Sequence, residues 1–246
     1  SQTKLMWQRG QSPKPLTAKD AKIYCDKLVY AGFKDWRVPS LDELGSLVDY
    51  SVKWGPVIDQ PAFPKTMAAD YWTSSLVAGT SSDLWLVGFS SGRITPWYYK
   101  THDDTQEVRC VRGNGTIAVT ATRYTLSASK KIVLDAWTKR EWQRGIVEGV
   151  SHWSYAKTYC ENLNLEGTNW RLPGVRELLS IVDKSEEYPC VSKEIFPYTP
   201  TNGVWTATPW ASNSNDAWIV NFGIGDVVMN YAGSGNSYFF KLFRCV

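Results

Sequence analysis

The chain has 246 residues, 43% hydrophobic and 21% charged, with a formal net charge of +3. This apolar content excludes a disordered tail, and with no apolar stretch of 18 residues no membrane-spanning helix is expected. The charge is balanced and contains no basic run, which argues against nucleic acid as a partner but is compatible with a local patch for a sulfated sugar. The sequence opens at Ser1-Gln2-Thr3-Lys4 in domain-like sequence with no signal peptide, so a processed or excised piece of a longer chain or assembly is expected.

Trp7-Gln8-Arg9-Gly10 comes first. Thr17 then starts a capping box with Asp20 as the acidic partner. Ala21, Tyr24, Cys25 and Leu28 follow at helical spacing and predict a first helix ending near Ala31-Gly32. Trp36-Arg37-Val38-Pro39 is an extended entry, because the residue before proline avoids the helical region. Ser40 caps a second helix with Glu43 at the third position, and Leu41, Leu44, Leu47 and Val48 face inward. Residues 51–70 form a long irregular segment rich in proline and glycine, longer than packing requires and so a candidate for function. Tyr71-Trp72-Thr73-Ser74-Ser75 reads as a strand. Leu84 to Phe89, a turn at Ser90-Ser91-Gly92-Arg93, and Ile94-Thr95-Pro96-Trp97 read as a hairpin, and Glu107 to Val111 as a last strand.

The pattern then repeats. Trp142-Gln143-Arg144-Gly145 lies 135 positions after its first copy, as does Tyr159-Cys160 after Tyr24-Cys25. Trp170-Arg171-Leu172-Pro173 follows at 134, Val204-Trp205-Thr206-Ala207-Thr208 at 133, and Arg244-Cys245-Val246 at 135. A period this long marks a duplicated globular domain rather than a solenoid. The expected domains are residues 1–113 and 114–246, with 114–136 as linker and leading strands that include Ile117-Ala118-Val119 and Ile132-Val133-Leu134. The second copy predicts a helix through Ala156, Tyr159, Cys160 and Leu163 that stops near Asn164. A further helix carries Gly174 and Glu177 at the capping positions and turns Val175, Leu178, Ile181 and Val182 inward. A hairpin runs from Ala217-Trp218 through Gly223-Ile224-Gly225-Asp226 to Met229, and the last strand spans 239–246. The fold class is α+β: two tandem copies, each with two helices and a small antiparallel sheet. Many of the 13 tryptophans recur between copies beside apolar neighbours, as core anchors do. Arg37 and Arg171 are expected to cap a carboxylate or backbone carbonyl internally, since a guanidinium offers five donors.

Five cysteines are present. Cys25 to Cys110 and Cys160 to Cys245 are both separated by 85 residues, and only this pairing respects the duplication. Closing each loop removes unfolded-state entropy worth about 4–5 kcal/mol in the simplest model. The alternative is four buried thiols in a reducing compartment, with no CxxC spacing and only His102 and His152 to offer a metal. Bridges imply an oxidising location: extracellular, cell surface or periplasm. Cys190 has no counterpart and is left as a free thiol or an intermolecular link.

Together the Trp-Gln-Arg opening, the Tyr-Cys helix, Trp-Arg-[Val/Leu]-Pro, Tyr-Trp-Thr-Ser-Ser, the Trp-x-Val-x-Phe hairpin and the closing Arg-Cys-Val resemble one bacterial family of secreted domains. It is typified by the C-terminal domain of the Legionella collagen-like adhesin. The two helices, the long loop, the antiparallel strands and the helix-to-last-strand bridge resemble the C-type lectin-like fold. The resemblance covers essentially the whole chain in both copies. It implies surface attachment, with sulfated glycosaminoglycans as one ligand class. Copy two departs at Arg140-Glu141-Trp142, where copy one has Leu5-Met6-Trp7, and at Val-Trp-Thr-Ala-Thr, which reads as divergence of surfaces on one scaffold.

The expected function is a non-catalytic extracellular or surface module that recognises glycans or host and matrix proteins. The alternative is a structural or partner-docking domain of a larger surface or secreted assembly. No triad is assembled around His102 or His152, the latter at a helix start. Calcium needs six to eight oxygens. Gln60-Pro61-Ala62 and Asn215-Asp216-Ala217-Trp218 depart from the calcium motifs of animal lectins, and Asp103, Asp104 and Glu107 read as a solvated turn. No metal or cofactor is therefore expected. Ligand contacts are expected on the strip Trp97, Tyr98, Tyr99, Lys100 and His102 after the first hairpin, and on Trp210, Asn213, Asn215 and Tyr231 in the second copy. The bland reading packs Trp97 and Tyr98 on the linker.

Overall fold

A computed structural model of the chain describes residues 4–96, 104–113, 122–147, 152–167, 169–186, 188–231 and 244–246. The chain divides into two compact units, Ser1–Ile117 and Ala118–Val246. Each is mixed α/β with two short helices and antiparallel strands.

Unit 1 contains β1 (Met6–Trp7), α1 (Ala18–Lys27), α2 (Leu41–Gly45), β2 (Asp70–Leu76), β3 (Leu84–Gly88), β4 (Ile94–Pro96) and β5 (Val111–Arg112). Thr17 caps α1 by accepting from the Asp20 amide at 3.1 Å. The helix stops at Lys27, earlier than its apolar spacing predicts. The Leu28 amide closes onto the Cys25 carbonyl, and a tight turn at Ala31 and Gly32, both at positive φ, links the bridged pair Tyr30 and Phe33. The Ser40–Glu43 capping box is complete in α2. Its periodicity outruns the helix: Leu41, Leu44 and Val48 are buried, but Val48 lies beyond the helix end. β3 pairs with β2 on one side and β4 on the other, with Gly92 at φ +85 in the turn between β3 and β4. β1 pairs with β5. The predicted strand 107–111 is mostly extended chain; only Val111 and Arg112 are regular strand, with bridges at Gln106 and Glu107.

Unit 2 contains β6 (Tyr124–Leu126), β7 (Ile132–Asp135), β8 (Arg140–Gln143), α3 (Trp153–Asn162), α4 (Val175–Leu179), β9 (Gly203–Trp210), β10 (Asn213–Asn221) and β11 (Asp226–Tyr231). β6, β7 and β8 form one antiparallel sheet, and β9, β10 and β11 pair with β10 in the middle. The predicted strand at 132–134 is the body of β7. The strand expected at Ile117-Ala118-Val119 and most of the one at 239–246 lie outside the described residues.

The cores repeat as the sequence does. In unit 1, Ala21, Cys25, Trp36, Trp72, Leu86, Val108 and Cys110 pack together. Their counterparts Ala156, Cys160, Trp170, Trp205, Ile219 and Cys245 do so in unit 2, joined by Trp153. The disulfides are Cys25–Cys110 and Cys160–Cys245, each tying the first helix of a unit to its closing segment. Cys190 is buried, with its thiol against the Gly223 carbonyl, so the folded unit does not present it for an intermolecular link. Its polar sequence neighbours hid this; the loop turns it inward, where its amide donates to the Phe222 carbonyl at 2.7 Å.

Non-reducing peptide mapping is expected to recover only those two bridges, with Cys190 alkylated slowly until the chain is unfolded. Trp36→Ala should lower unfolding free energy by about 3–5 kcal/mol, as for a fully buried aromatic ring; denaturant titration checks this.

Candidate functional site

Most repeated motif residues prove to be scaffold, and their contacts explain the repetition. Arg37 donates to both carboxylate oxygens of Glu43 at 2.7 and 2.6 Å and to the Gly113 carbonyl at 2.8 Å. Arg171 makes the same fork onto Glu177, at 2.7 and 2.6 Å. Each glutamate also accepts from the N-cap amide of its helix, Ser40 or Gly174. Gly174 has no hydroxyl to complete the box, and copy two adds Arg140, whose Nε donates to Glu177 at 2.9 Å. Burial works to raise both carboxyls, but the arginine and cap bonds outweigh it. Glu43 is held below the usual glutamate range and Glu177 lies at about 2.

The Tyr-Trp-Thr-Ser-Ser strand locks onto this same entry. The Ser74 amide donates to the Pro39 carbonyl and the Ala207 amide to that of Pro173. Ser75 Oγ accepts from the Leu41 amide at 2.9 Å and Thr208 Oγ1 from the Val175 amide at 3.0 Å. The change to Val-Trp-Thr-Ala-Thr therefore keeps the two bonds to the helix entry, and gives up the Ser74 hydroxyl bond to the Pro39 carbonyl and the Tyr71 hydroxyl bonds to Gln11 and the Met67 amide, all of them interior contacts rather than a binding surface. Tyr71, Trp72, Val204 and Trp205 are all buried.

A second repeated constellation is absent from the sequence reading. Arg109 is fully buried; its guanidinium donates to the Gln8 and Arg9 carbonyls at 2.9 and 2.6 Å and to Thr66 Oγ1 at 2.7 Å, and lies over the Phe63 ring. Arg244 repeats this with the Gln143 and Arg144 carbonyls, Thr199 Oγ1 and the Phe196 ring. Burial lowers the pKa of both, with Arg144 repelling Arg244 in addition. The signal was a further repeat, Phe63-Pro64-Lys65-Thr66 and Phe196-Pro197-Tyr198-Thr199.

With the motifs assigned to scaffold, the long loops carry the most exposed rings among the described residues; Tyr155 on α3 and Trp137 in the β7–β8 turn are exposed to a lesser degree. In unit 1 the Asp49 amide donates to the Val57 carbonyl, and Asp49 Oδ1 accepts from the amide and hydroxyl of Ser51 at 2.9 and 2.6 Å. In unit 2 the Asp183 amide donates to the Cys190 carbonyl, and Asp183 Oδ1 accepts from the amide and hydroxyl of Ser185 at 2.9 and 2.5 Å. Each closed loop holds an aromatic side chain in water: Trp54 is 78% exposed and Tyr188 63%. Further along, Lys65 and Tyr198 occupy equivalent positive-φ positions, and Tyr198 is 83% exposed.

Of the ligand contacts expected from sequence, Trp97, Tyr98, Tyr99, Lys100 and His102 lie outside the described residues, as does the side chain of Tyr231, whose backbone ends β11. Trp210 and Asn213 pair across the turn between β9 and β10. Asn213 is committed to that turn, donating to Asp216 Oδ2 at 2.9 Å and accepting from the Asn215 amide, while Asn215 is exposed and Trp210 half-buried. His152 is the exposed N-cap residue of α3. A cleft of about 250 Å³ beside Trp170 is lined by Arg140, Glu141, Asn169, Arg171 and Val246, a mixed-charge wall around the Glu177 ion pairs. Among the described residues, no group of three or more His, Cys, Asp or Glu side chains is placed to hold a metal.

The sequence model of the Lcl C-terminal domain family matches residues 1–112 and 131–244. The chain belongs to this family. Its two matched segments are the two copies of the duplication, so the chain is a tandem pair of Lcl C-terminal domains. None of the curated proteins matches it.

The Glu177 cluster has a pH signature. A carboxyl depressed in the folded state stabilises it above the ordinary value of 4.5, and that contribution is lost as pH falls through about 2. Glu177→Gln should cost about 1–2 kcal/mol at pH 7, since its arginine partners are partly solvated. It should also flatten the fall in stability between pH 4.5 and 2. Unfolding titrations at both ends of that range measure it.

Proposed function

We propose that the chain is an extracellular or cell-surface attachment module that binds glycans through exposed aromatic and polar side chains, without catalysis. The observation that carries this reading is the pair of closed loops, each holding one large ring in water on a disulfide-braced unit. Aromatic rings present a rigid, partly apolar face at small entropic cost, which suits the ring faces of sugars and the side chains of matrix proteins. Intact disulfides suit an oxidising location. Among the described residues no helix is long and apolar enough to cross a membrane.

A C-type lectin-like fold belongs to the same reading. Two helices, a long loop before the strands and a bridge from the first helix to the closing segment support it. In such a frame the loops and hairpin ends form the variable face. The strip Trp97, Tyr98, Tyr99, Lys100 and His102, and the β9–β10 turn with Trp210, Asn213 and Asn215, join the loops as proposed contacts, with Tyr231 at the end of β11.

A glycan and matrix-protein array read at two salt concentrations tests the reading. Binding to sulfated glycans that weakens at least ~10-fold at the higher salt is expected, because exposed ion contacts are screened. Salt-insensitive binding to a single protein would instead mark a docking module. Alanine at Trp97, Tyr98, Tyr99 and Lys100 together should reduce glycan binding; unchanged binding would remove that strip from the site.

A further inference from the structure

The β9–β10 tip of unit 2 and the β2–β3 loop of unit 1 are the same nine-residue stretch built in two ways. Ser75 to Asp83 corresponds to Thr208 to Asp216, and the strand partners at the base correspond as well, Leu76 with Leu84 and Pro209 with Ala217. In unit 1 the loop closes on itself. Val77 is buried, its amide donates to the Asp83 carbonyl at 2.8 Å, and Thr80 Oγ1 donates to the Val77 carbonyl and accepts from the Asp83 amide. In unit 2 Trp210 replaces Val77 and Asn213 replaces Thr80, and these two become strand partners. Ser214, Asn215 and Asp216 then have no partner in β9 before the ladder resumes at Ala217, so they form a bulge. Bulges re-aim side chains and are frequent beside functional sites.

A buried acid holds the bulge. Asp216 is 2% exposed, and its Oδ2 accepts from Asn213 Nδ2 at 2.9 Å. Asn213 Oδ1 accepts in turn from the Asn215 amide at 3.2 Å. Asp83, the counterpart of Asp216, is partly exposed and accepts from the neighbouring Ser82 hydroxyl. Burying a carboxylate costs free energy that unit 1 largely avoids while closing the same stretch. What unit 2 gains is a fixed tip. Asn213 is bound at both ends of its amide, so the backbone of Asn215 is held. The Asn215 side chain stays exposed and, among the described residues, makes no bond. Trp210 is half-buried at the same tip, and no side chain from Pro209 to Asn215 ionises.

Resting on the glycan reading above, we infer that this tip takes an uncharged sugar ring. Asn215 and Trp210 are its contacts, and Asn213 and Asp216 are positioning residues that touch no sugar. An indole face suits the apolar side of a pyranose, and an amide, which both donates and accepts, suits adjacent hydroxyl groups. A sulfated or carboxylated ring meets no cation on this tip and lies near the Asp216 charge. The loop of unit 1 carries neither a ring nor a side-chain amide, so the site belongs to unit 2 alone.

Nuclear magnetic resonance titration of the full chain tests this with the methyl glycosides of glucose, galactose and mannose as neutral probes and methyl glucuronide as the anionic control. At least one neutral glycoside should shift the Asn215 side-chain amide and the Trp210 indole, with an affinity that changes less than about twofold between low and high salt. Methyl glucuronide should bind at least ~10-fold more weakly. Asn215→Ala and Trp210→Ala should each weaken the neutral probe at least ~10-fold. Asp216→Ala should do the same without contacting the probe, and Asp216→Asn, which keeps an acceptor for Asn213, should recover binding to within about threefold. Replacing residues 209–215 by residues 76–82 should abolish binding and keep the dispersed spectrum of a folded unit, since that sequence already closes the same stretch in unit 1. The inference is overturned by no shift at the tip with any neutral probe, by equal binding of the glucuronide, by unchanged binding in Asn215→Ala, or by a loss in Asp216→Ala that Asp216→Asn does not recover. Sulfated-glycan binding on the array leaves the glycan reading standing in each of those cases; its absence together with no neutral binding sinks both.

Discussion

Each unit is organised around a buried guanidinium whose hydrogen-bond acceptors in the loop and opening strand are neutral. Removing a charge from water costs several kcal/mol unless its donors are met. Arg109 and Arg244 meet theirs with two consecutive carbonyls of the Trp-Gln-Arg-Gly segment and a threonine hydroxyl at the base of the long loop, under a phenylalanine ring. Lysine has the charge but not the planar fork that spans these acceptors. One side chain thereby joins the start, the middle and the end of each unit. The next residue along is the disulfide cysteine. In extended chain, successive side chains point to opposite sides. Arginine therefore fixes the loop on one side, while cysteine fixes α1 or α3 on the other. The glutamine of the opening motif completes the joint by accepting from that cysteine's amide, Gln8 from Cys110 at 3.1 Å and Gln143 from Cys245 at 3.3 Å.

The second joint is the entry to the short helix. Proline keeps the chain extended up to the N-cap. Arginine two residues before it holds the capping glutamate, and the facing strand supplies a hydroxyl to the first free helical amide. A five-residue helix is too short to persist alone. It persists here because its amides, its capping carboxylate and its inward leucines or valines are all engaged by other segments. Copy two shows how such a joint drifts: Gly174 forfeits the cap hydroxyl, and Arg140, where copy one has Leu5, adds a bond to the same carboxylate.

Duplication made much of this legible from sequence. Two copies act as two observations of one fold, so equal spacing paired the cysteines and recurring tryptophans marked the cores. Helix starts were readable because capping is local chemistry. Helix ends were not, since Val48 is turned inward by tertiary packing after the helix has stopped. The burial of the two arginines was not legible because most of their acceptors are carbonyls, which carry no side-chain signature; the Phe-Pro-x-Thr repeat, with its threonine acceptor, is the added signal that the Arg-Cys-Val repeat alone did not supply. Cys190 is the free thiol that the sequence allowed, but its burial was not legible from its polar neighbours, because a loop can place one side chain inward among solvated ones.

The same two copies also separate scaffold from surface. Several structural contacts keep their bond through substitution between copies, as Ser75 and Thr208 do. Where side chains project into water, residue type changes between copies with no bond to keep, as from Trp54 to Tyr188 and from Lys65 to Tyr198. A scaffold fixed by a buried arginine, a disulfide and a capped helix leaves the loop tips room to diverge, because the arginine, disulfide and capping bonds lie outside them. The Asp49 and Asp183 locks keep each tip closed from within its own loop. Replacing the tip residues therefore changes what the unit presents without changing how it folds. This uncoupling is what allows one domain, copied twice, to carry two different surfaces.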